Sequence, residues 1–206
     1  ANRINEILDT ETAIRDGTVT APENGLEGEI EFRDVSFRYP DAVDDVLHHI
    51  SFRAHKGETV AFIGATGSGK STLVNLVPRF YDATEGEVLV DGVNVRDYTQ
   101  DALHDKIGYV PQKSFLFSGT IEGNVLYGED VAPREEAQRA VRIAQAKDFV
   151  EREDVGYDGA VAQAGANFSG GQKQRLSIAR AVAKRPEIYI FDDSFSALDY
   201  KTDRVL

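Results

Sequence analysis

No cysteine occurs among the 206 residues. That excludes disulfides, zinc ribbons and thiol catalysis, and it fits a reducing compartment. Methionine is missing too, even at position 1, which reads as a domain excised from a longer polypeptide. Positive charge is scarce: 23 Lys and Arg against 35 Asp and Glu leave a formal net charge of -12. A nucleic-acid backbone needs basic surface, so this balance argues against such a partner. It leaves nucleotides open, because their charge can be met locally. No apolar run approaches the length of a bilayer span, and no signal peptide opens the chain. What is present is 41% hydrophobic. That is enough to bury a core, in one large domain or one with an inserted subdomain.

The most informative stretch is Gly64-Ala65-Thr66-Gly67-Ser68-Gly69-Lys70-Ser71, which fits G-x-x-x-x-G-K-S/T. A short apolar run of strand type, Thr59 to Ile63, precedes it, and an amphipathic helix from Ser71 to Val77 follows. Strand, glycine loop and helix together aim successive backbone N–H groups at the β- and γ-phosphates of a nucleotide. Gly64, Gly67 and Gly69 permit close approach of phosphate oxygens. Lys70 supplies a mobile positive charge, and the Ser71 hydroxyl a ligand for Mg²⁺.

Elsewhere the pattern alternates between sheet and helix. Ile4, Ile7, Leu8 and Ile14 stand at near-helical spacing, and 17–28 reads as a linker. Ile30 to Phe37 is strand material whose alternation slips near Asp34, and Val46 to Ala54 is a second strand. Lys56 to Glu58 is a turn, and Glu87 to Asp91 is a strand that ends in a tight turn at Gly92. Ile107 to Val110 is strand-like, 112–185 is mainly helical, and Ile188 to Phe191 returns to a buried strand. The helical periodicity is clearest over Arg134–Ala146 and Gly170–Ala183. A sheet layer interrupted by a helical block follows.

Two further stretches carry chemistry. Ile188-Tyr189-Ile190-Phe191-Asp192-Asp193 is an apolar strand ending in two carboxylates, and Asp192 is the candidate for holding Mg²⁺. Asn167-Phe168-Ser169-Gly170-Gly171-Gln172 opens a strong helix, where free N–H groups and the helix dipole make a second anion site. The plainer alternative is an ordinary helix cap by Ser169.

From about Glu29 onward the chain resembles the nucleotide-binding domain of an ABC transporter. The phosphate loop, Gln112 in Tyr109-Val110-Pro111-Gln112, the Ser169-Gly170-Gly171-Gln172 signature, the carboxylate-ended strand and Ser196-Ala197-Leu198-Asp199 occur in the family's order. The resemblance implies an α/β fold. It consists of a RecA-like P-loop NTPase core with an antiparallel β subdomain and an inserted helical subdomain at about 113–185, truncated at its C-terminal end. Residues 1–28 would be the linker that follows an absent transmembrane domain, and 29–206 the ATPase domain.

The resemblance also implies ATP and Mg²⁺ as ligands. Tyr39 would stack on adenine, although an aromatic there also suits core packing. Gly64, Thr66, Gly67, Ser68, Gly69, Lys70, Ser71 and Thr72 would hold the phosphates. Ser71, Gln112 and Asp192 would hold the metal, with Lys70, Gln112 and Asp193 acting in hydrolysis. Ser169, Gly170, Gly171 and Gln172 would contact ATP bound to a second such domain, so that two domains sandwich two nucleotides.

Leu116-Phe117-Ser118-Gly119-Thr120-Ile121 with Asn124 resembles the exporter type, and Arg3 to Asp9 is similar to the segment joining membrane helix to ATPase. That implies a place on the cytoplasmic face of a membrane, as part of an exporter and with no nucleic-acid partner. The alternative is a soluble ABC ATPase acting on nucleic acid or ribosomes.

Four departures matter. Asp193 stands where the family has a catalytic Glu; the lost methylene withdraws the carboxylate by about 1–1.5 Å, and misplacement on that scale costs about a hundredfold in rate. Phe168 stands where Leu is usual. Val161 to Gly165 lacks the Glu-Arg pair common in exporters. His48, His49, His55 and His104 all precede the signature, so the family's switch histidine is expected beyond Leu206. The Asp in place of Glu resembles the degenerate subunit of a heterodimeric exporter.

Overall fold

The structure is a computed structural model that describes residues 12–129, 131–151 and 156–194. Arg3 to Asp9 and Ser196 to Asp199 lie outside the described residues. The chain divides into two compact units, Ala1–His104 and Asp105–Leu206.

The first unit is built on an antiparallel sheet of β1 (Ile30–Phe37), β2 (Leu47–Ala54), β3 (Glu85–Val90) and β4 (Val93–Asn94), in the order β2-β1-β3-β4. The expected slip in β1 is real. Its register against β2 shifts between Phe32 and Val35, and Asp34 takes a φ of 50°. Beyond the bulge the alternation resumes in a new phase, so Phe32, Val35 and Phe37 are all buried. Asp91 and Gly92, both at positive φ, turn β3 into β4.

Residues 17–19 are tied down rather than loose. Gly17 N–H donates to Tyr98 O at 2.9 Å and Val19 N–H to Asp97 O at 2.8 Å, with Val19 bridging Tyr98. The unit also holds α1 (Lys70–Asn75) and reaches into α2 (Gln100–Asp105).

One expectation fails. Among the described residues, 59–63 join no strand ladder. An apolar run becomes a strand only where a neighbour takes its backbone N–H and C=O groups, and none does so here. Ile63 is 97% exposed.

The second unit pairs β5 (Ile107–Val110) with β8 (Ile188–Phe191) in parallel, Tyr109 opposite Ile190 and Val110 opposite Phe191. Between these strands come β6 (Gly119–Thr120), α3 (Ile121–Val125), α4 (Arg134–Ile143), α5 (Lys147–Val150), β7 (Ala160–Val161) and α6 (Gly170–Ala183). The block expected to be mainly helical thus also carries the small β6–β7 ladder. α4, α3 and β5 pack around α6, with Leu176, Ile178, Val141 and Val125 in one apolar core. Gly108 is needed for that packing: a Cβ there would stand 2.7 Å from the Pro186 ring and 3.1 Å from Ala181 O. β8 is half exposed rather than buried, with Tyr189 and Phe191 stacked on its open face. At the surface, Arg185 and Arg139 hold the Glu136 carboxyl down at about 2 by hydrogen bonds and charge.

Candidate functional site

The expected site residues fall into two sets, one on each unit. In the first unit the phosphate loop closes on itself. Ser68 N–H donates to Ala65 O at 3.2 Å, and the ammonium of Lys70 donates to Gly64 O and Ala65 O, both at 2.8 Å. Lys70 thus tethers the loop it belongs to, in a frame of backbone dipoles that a phosphate could share. Gly67 and Gly69 have φ of 81° and 89°, a region that side chains with a Cβ rarely enter. Gly69 is also the N-cap of α1, and a Cβ there would press on Leu47 at 3.1 Å and Val46 at 3.2 Å.

Tyr39 is half-buried and lies edge-on to Phe37 and Tyr81, at centroid distances of 4.8 and 5.2 Å. Its hydroxyl and that of Thr72 stand 2.9 Å apart in a hydrogen bond. The aromatic is thereby anchored to the first turn of α1, beside Ser71. The sequence named Tyr39 and Thr72 separately and offered no sign that they touch.

In the second unit the ends of β5 and β8 assemble the other set. The parallel ladder continues one residue past β8, because Asp192 N–H donates to Val110 O at 3.0 Å. The Ser194 hydroxyl donates to the same oxygen at 2.7 Å. Gln112 Nε2 donates to Asp193 Oδ2 at 3.0 Å, which leaves the amide oxygen for another partner. Asp193 takes a φ of 47°, a left-handed conformation that Asp tolerates better than most residues. The Tyr109 phenol donates to the Asp192 carboxylate. Burial first, then that charge and hydrogen bond, push its pKa up to about 12. Sequence reasoning used Tyr109 only as strand material. The signal available was its place near the end of a strand that neighbours the carboxylate-ended one.

The signature opens α6. Ser169 Oγ accepts from Gln172 N–H at 3.3 Å and Gln172 Oε1 accepts from Ser169 N–H at 2.8 Å, a reciprocal capping box. The capping role considered from sequence is therefore present. The glycine pair adds something a cap does not require: Gly170 is exposed, and open space lies where its Cβ would be. Phe168 packs against the core edge-on to Phe149, whose face carries the Arg175 guanidinium 4.8 Å from its centroid. Phenylalanine in place of leucine is thus accommodated by a second ring.

The exporter-type stretch also has a physical basis. Asn124 is 2% exposed and closes the loop before α3, accepting from Phe117 N–H at 2.8 Å and donating to Phe117 O and Thr120 O. Arg180 of α6 donates to Asn124 O, Asn124 Oδ1 and Phe115 O beneath the Phe117 and Tyr127 rings. Burial lowers the Arg180 pKa. Ser114 Oγ donates to Gln174 Oε1 at 2.6 Å, tying the segment after Gln112 to α6.

The Ser71 hydroxyl on the first unit, and the Gln112 amide oxygen and Asp192 carboxylate on the second, are each hard oxygen donors, of the kind Mg²⁺ takes and soft metals do not. Among the described residues no three His, Cys, Asp or Glu converge on one point. A Mg²⁺ ion bound to any of these donors would draw most of its oxygens from phosphate and water, as Mg²⁺ does.

An α/β chain with this loop, and later in its sequence a parallel strand ending in carboxylates, is a nucleotide-binding domain of the phosphate-loop class. The family model described as ABC transporter matches residues 47–196, and the chain belongs to that family as an ABC transporter ATP-binding domain, a class of ATPase. An uncharacterized ABC transporter ATP-binding protein of Mycobacterium tuberculosis is 49% identical, over 98% of this chain and 35% of its own length. A putative multidrug export ATP-binding/permease protein of Staphylococcus aureus is 43% identical, again over 98% of this chain and 35% of its own. A solved bacterial Atm1-family ABC exporter with ATP bound is similar, with a TM-score of 0.91 and 39% identity over 99% of this chain and 36% of that one. The chain spans about a third of the length of these relatives. No helix among the described residues is long and apolar enough to cross a membrane.

Proposed function

We propose that this domain binds Mg-ATP at a site shared with a second ATP-binding domain and powers an exporter at the cytoplasmic face of a membrane. Its own site hydrolyses slowly. The observation that carries this reading is the pairing of Asp193 with Gln112 at the mouth of the β5–β8 ladder, 3.0 Å apart. It supports the reading of Asp193 as a short carboxylate, held by the glutamine, that does the work of the family's catalytic glutamate.

The loop amides and Lys70 bind the β- and γ-phosphates, and Tyr39 offers its ring to adenine. Ser71, Asp192 and Gln112 would hold Mg²⁺, which would supply positive charge to offset that on the transferred phosphoryl oxygens. The backbone amides of exposed Gly170 and half-buried Gly171, at the positive end of α6, serve ATP held by the opposing domain. Asp193 can orient water and accept its proton, but from a carboxylate set back by about 1–1.5 Å. The opposing domain would therefore carry the faster site, in a heterodimer whose transmembrane part belongs to the same polypeptide. The relatives, one a putative multidrug export ATP-binding/permease protein and one an exporter with ATP bound, support the exporter role and the nucleotide.

Asp193→Glu, measured in the full-length assembly by single-turnover hydrolysis with Mg-ATP bound, should raise the rate at this site by about tenfold to a hundredfold. An unchanged rate with the nucleotide in place would sink the degenerate-site reading.

A further inference from the structure

We infer that Tyr109 is a positioning residue for the metal-binding carboxylate, aiming the Asp192 side chain by donating its phenolic hydrogen to it. The inference rests on the reading of Asp192 as a Mg²⁺ ligand.

The backbone around Asp192 is already fixed from two sides. Its N–H is bonded to Val110 O at 3.0 Å, and Ser194 grips the same carbonyl at 2.7 Å. Those bonds place the α-carbon; the direction of the carboxylate is set by contacts of the side chain itself. β5 runs parallel to β8 with Tyr109 opposite Ile190. Asp192 lies two residues beyond Ile190, on the same face of the extended ladder, because side chains alternate along a strand. The half-buried phenol reaches forward along that face to the carboxylate. The carboxylate thus accepts a hydrogen bond from a donor carried by the neighbouring strand.

An aspartate that binds Mg²⁺, directly or through water, is effective only when its oxygen is aimed before the metal arrives. Outer partners that orient metal-binding carboxylates are commonly worth about 10- to 100-fold in metal affinity. Tyr109 also differs from Gln112 in kind. Gln112, which holds the neighbouring Asp193, is exposed in a loop, whereas Tyr109 is partly buried and its backbone belongs to the ladder itself.

The test is a Mg²⁺ titration of nucleotide binding to the full-length transporter, with the opposing domain's phosphate loop disabled. Tyr109→Phe keeps the ring and deletes the donor. It should raise the Mg²⁺ concentration for half-maximal ATP binding by about tenfold or more, while binding in EDTA and the ligand-free melting temperature stay at the wild-type values. In an Asp192→Asn background the same substitution should have no further effect, because the carboxylate it serves is gone. An unshifted Mg²⁺ titration, a loss of EDTA binding as well, or full additivity in the double variant each overturn the assignment. Wild-type binding that ignores Mg²⁺ overturns the metal role of Asp192 and this inference with it.

Discussion

Lys70 illustrates how much a single side chain is asked to do. Its ammonium holds two carbonyls of the phosphate loop, and the same charge must meet the nucleotide. A point charge on a flexible stem can divide itself that way; a planar guanidinium is built for paired oxygens in one plane. Lys70→Ala should lower ATP affinity by about tenfold to a hundredfold, the loss of a charge-assisted hydrogen bond of about 1.5–3 kcal/mol. Lys70→Arg should recover less than half of that loss in free energy, as read by equilibrium nucleotide binding. Full recovery by Arg would mean that only charge, and not reach into the loop, matters. Asp193 shows the opposite economy of design: the charge is retained and only its position changes.

At the scale of elements, the proposed function gives α6 two tasks at one end. Its 14 residues are started by a capping box that any stable helix could use, and by a glycine pair that weakens a first turn. Ser169→Asp separates them. Aspartate is as good an N-cap as serine and favours the helix dipole, so stability in urea should stay within about 0.5 kcal/mol. A negative charge where phosphate must approach should abolish ATP-induced closure of the two domains, measured by cross-linking in the full assembly. Loss of stability together with closure would return the signature to a purely structural role. The β5–β8 pair makes a related point. Two short strands of four residues each carry Gln112, Asp192 and Asp193 at their ends, so ladder register decides which side chains meet.

At the scale of the whole molecule, charge separates the competing readings. With a net charge of -12, duplex DNA should show no salt-dependent binding in fluorescence anisotropy between about 50 and 200 mM salt. Binding that weakens steeply across that range would revive an ABC ATPase acting on nucleic acid. Much of the fold was legible in the residues. The slip at Asp34, the turn at Gly92, the span of α6 and the strand before the carboxylates are local events, written by backbone freedom and side-chain period. The run 59–63 was misread because an apolar strand pattern states only a preference, and its ladder depends on a neighbour. β8 was misread for the same reason: Tyr189 and Phe191 are apolar enough to bury and stay half exposed. Sequence alone determined the kinds of chemistry available here — glycine amides, one lysine, hard oxygen donors and a carboxylate one carbon short. Tertiary structure alone decided that Gln112 meets Asp193, that Thr72 anchors Tyr39 and that Tyr109 reaches Asp192. Those meetings join residues 33 to 83 positions apart, and only strand register and packing bring such residues within hydrogen-bond range.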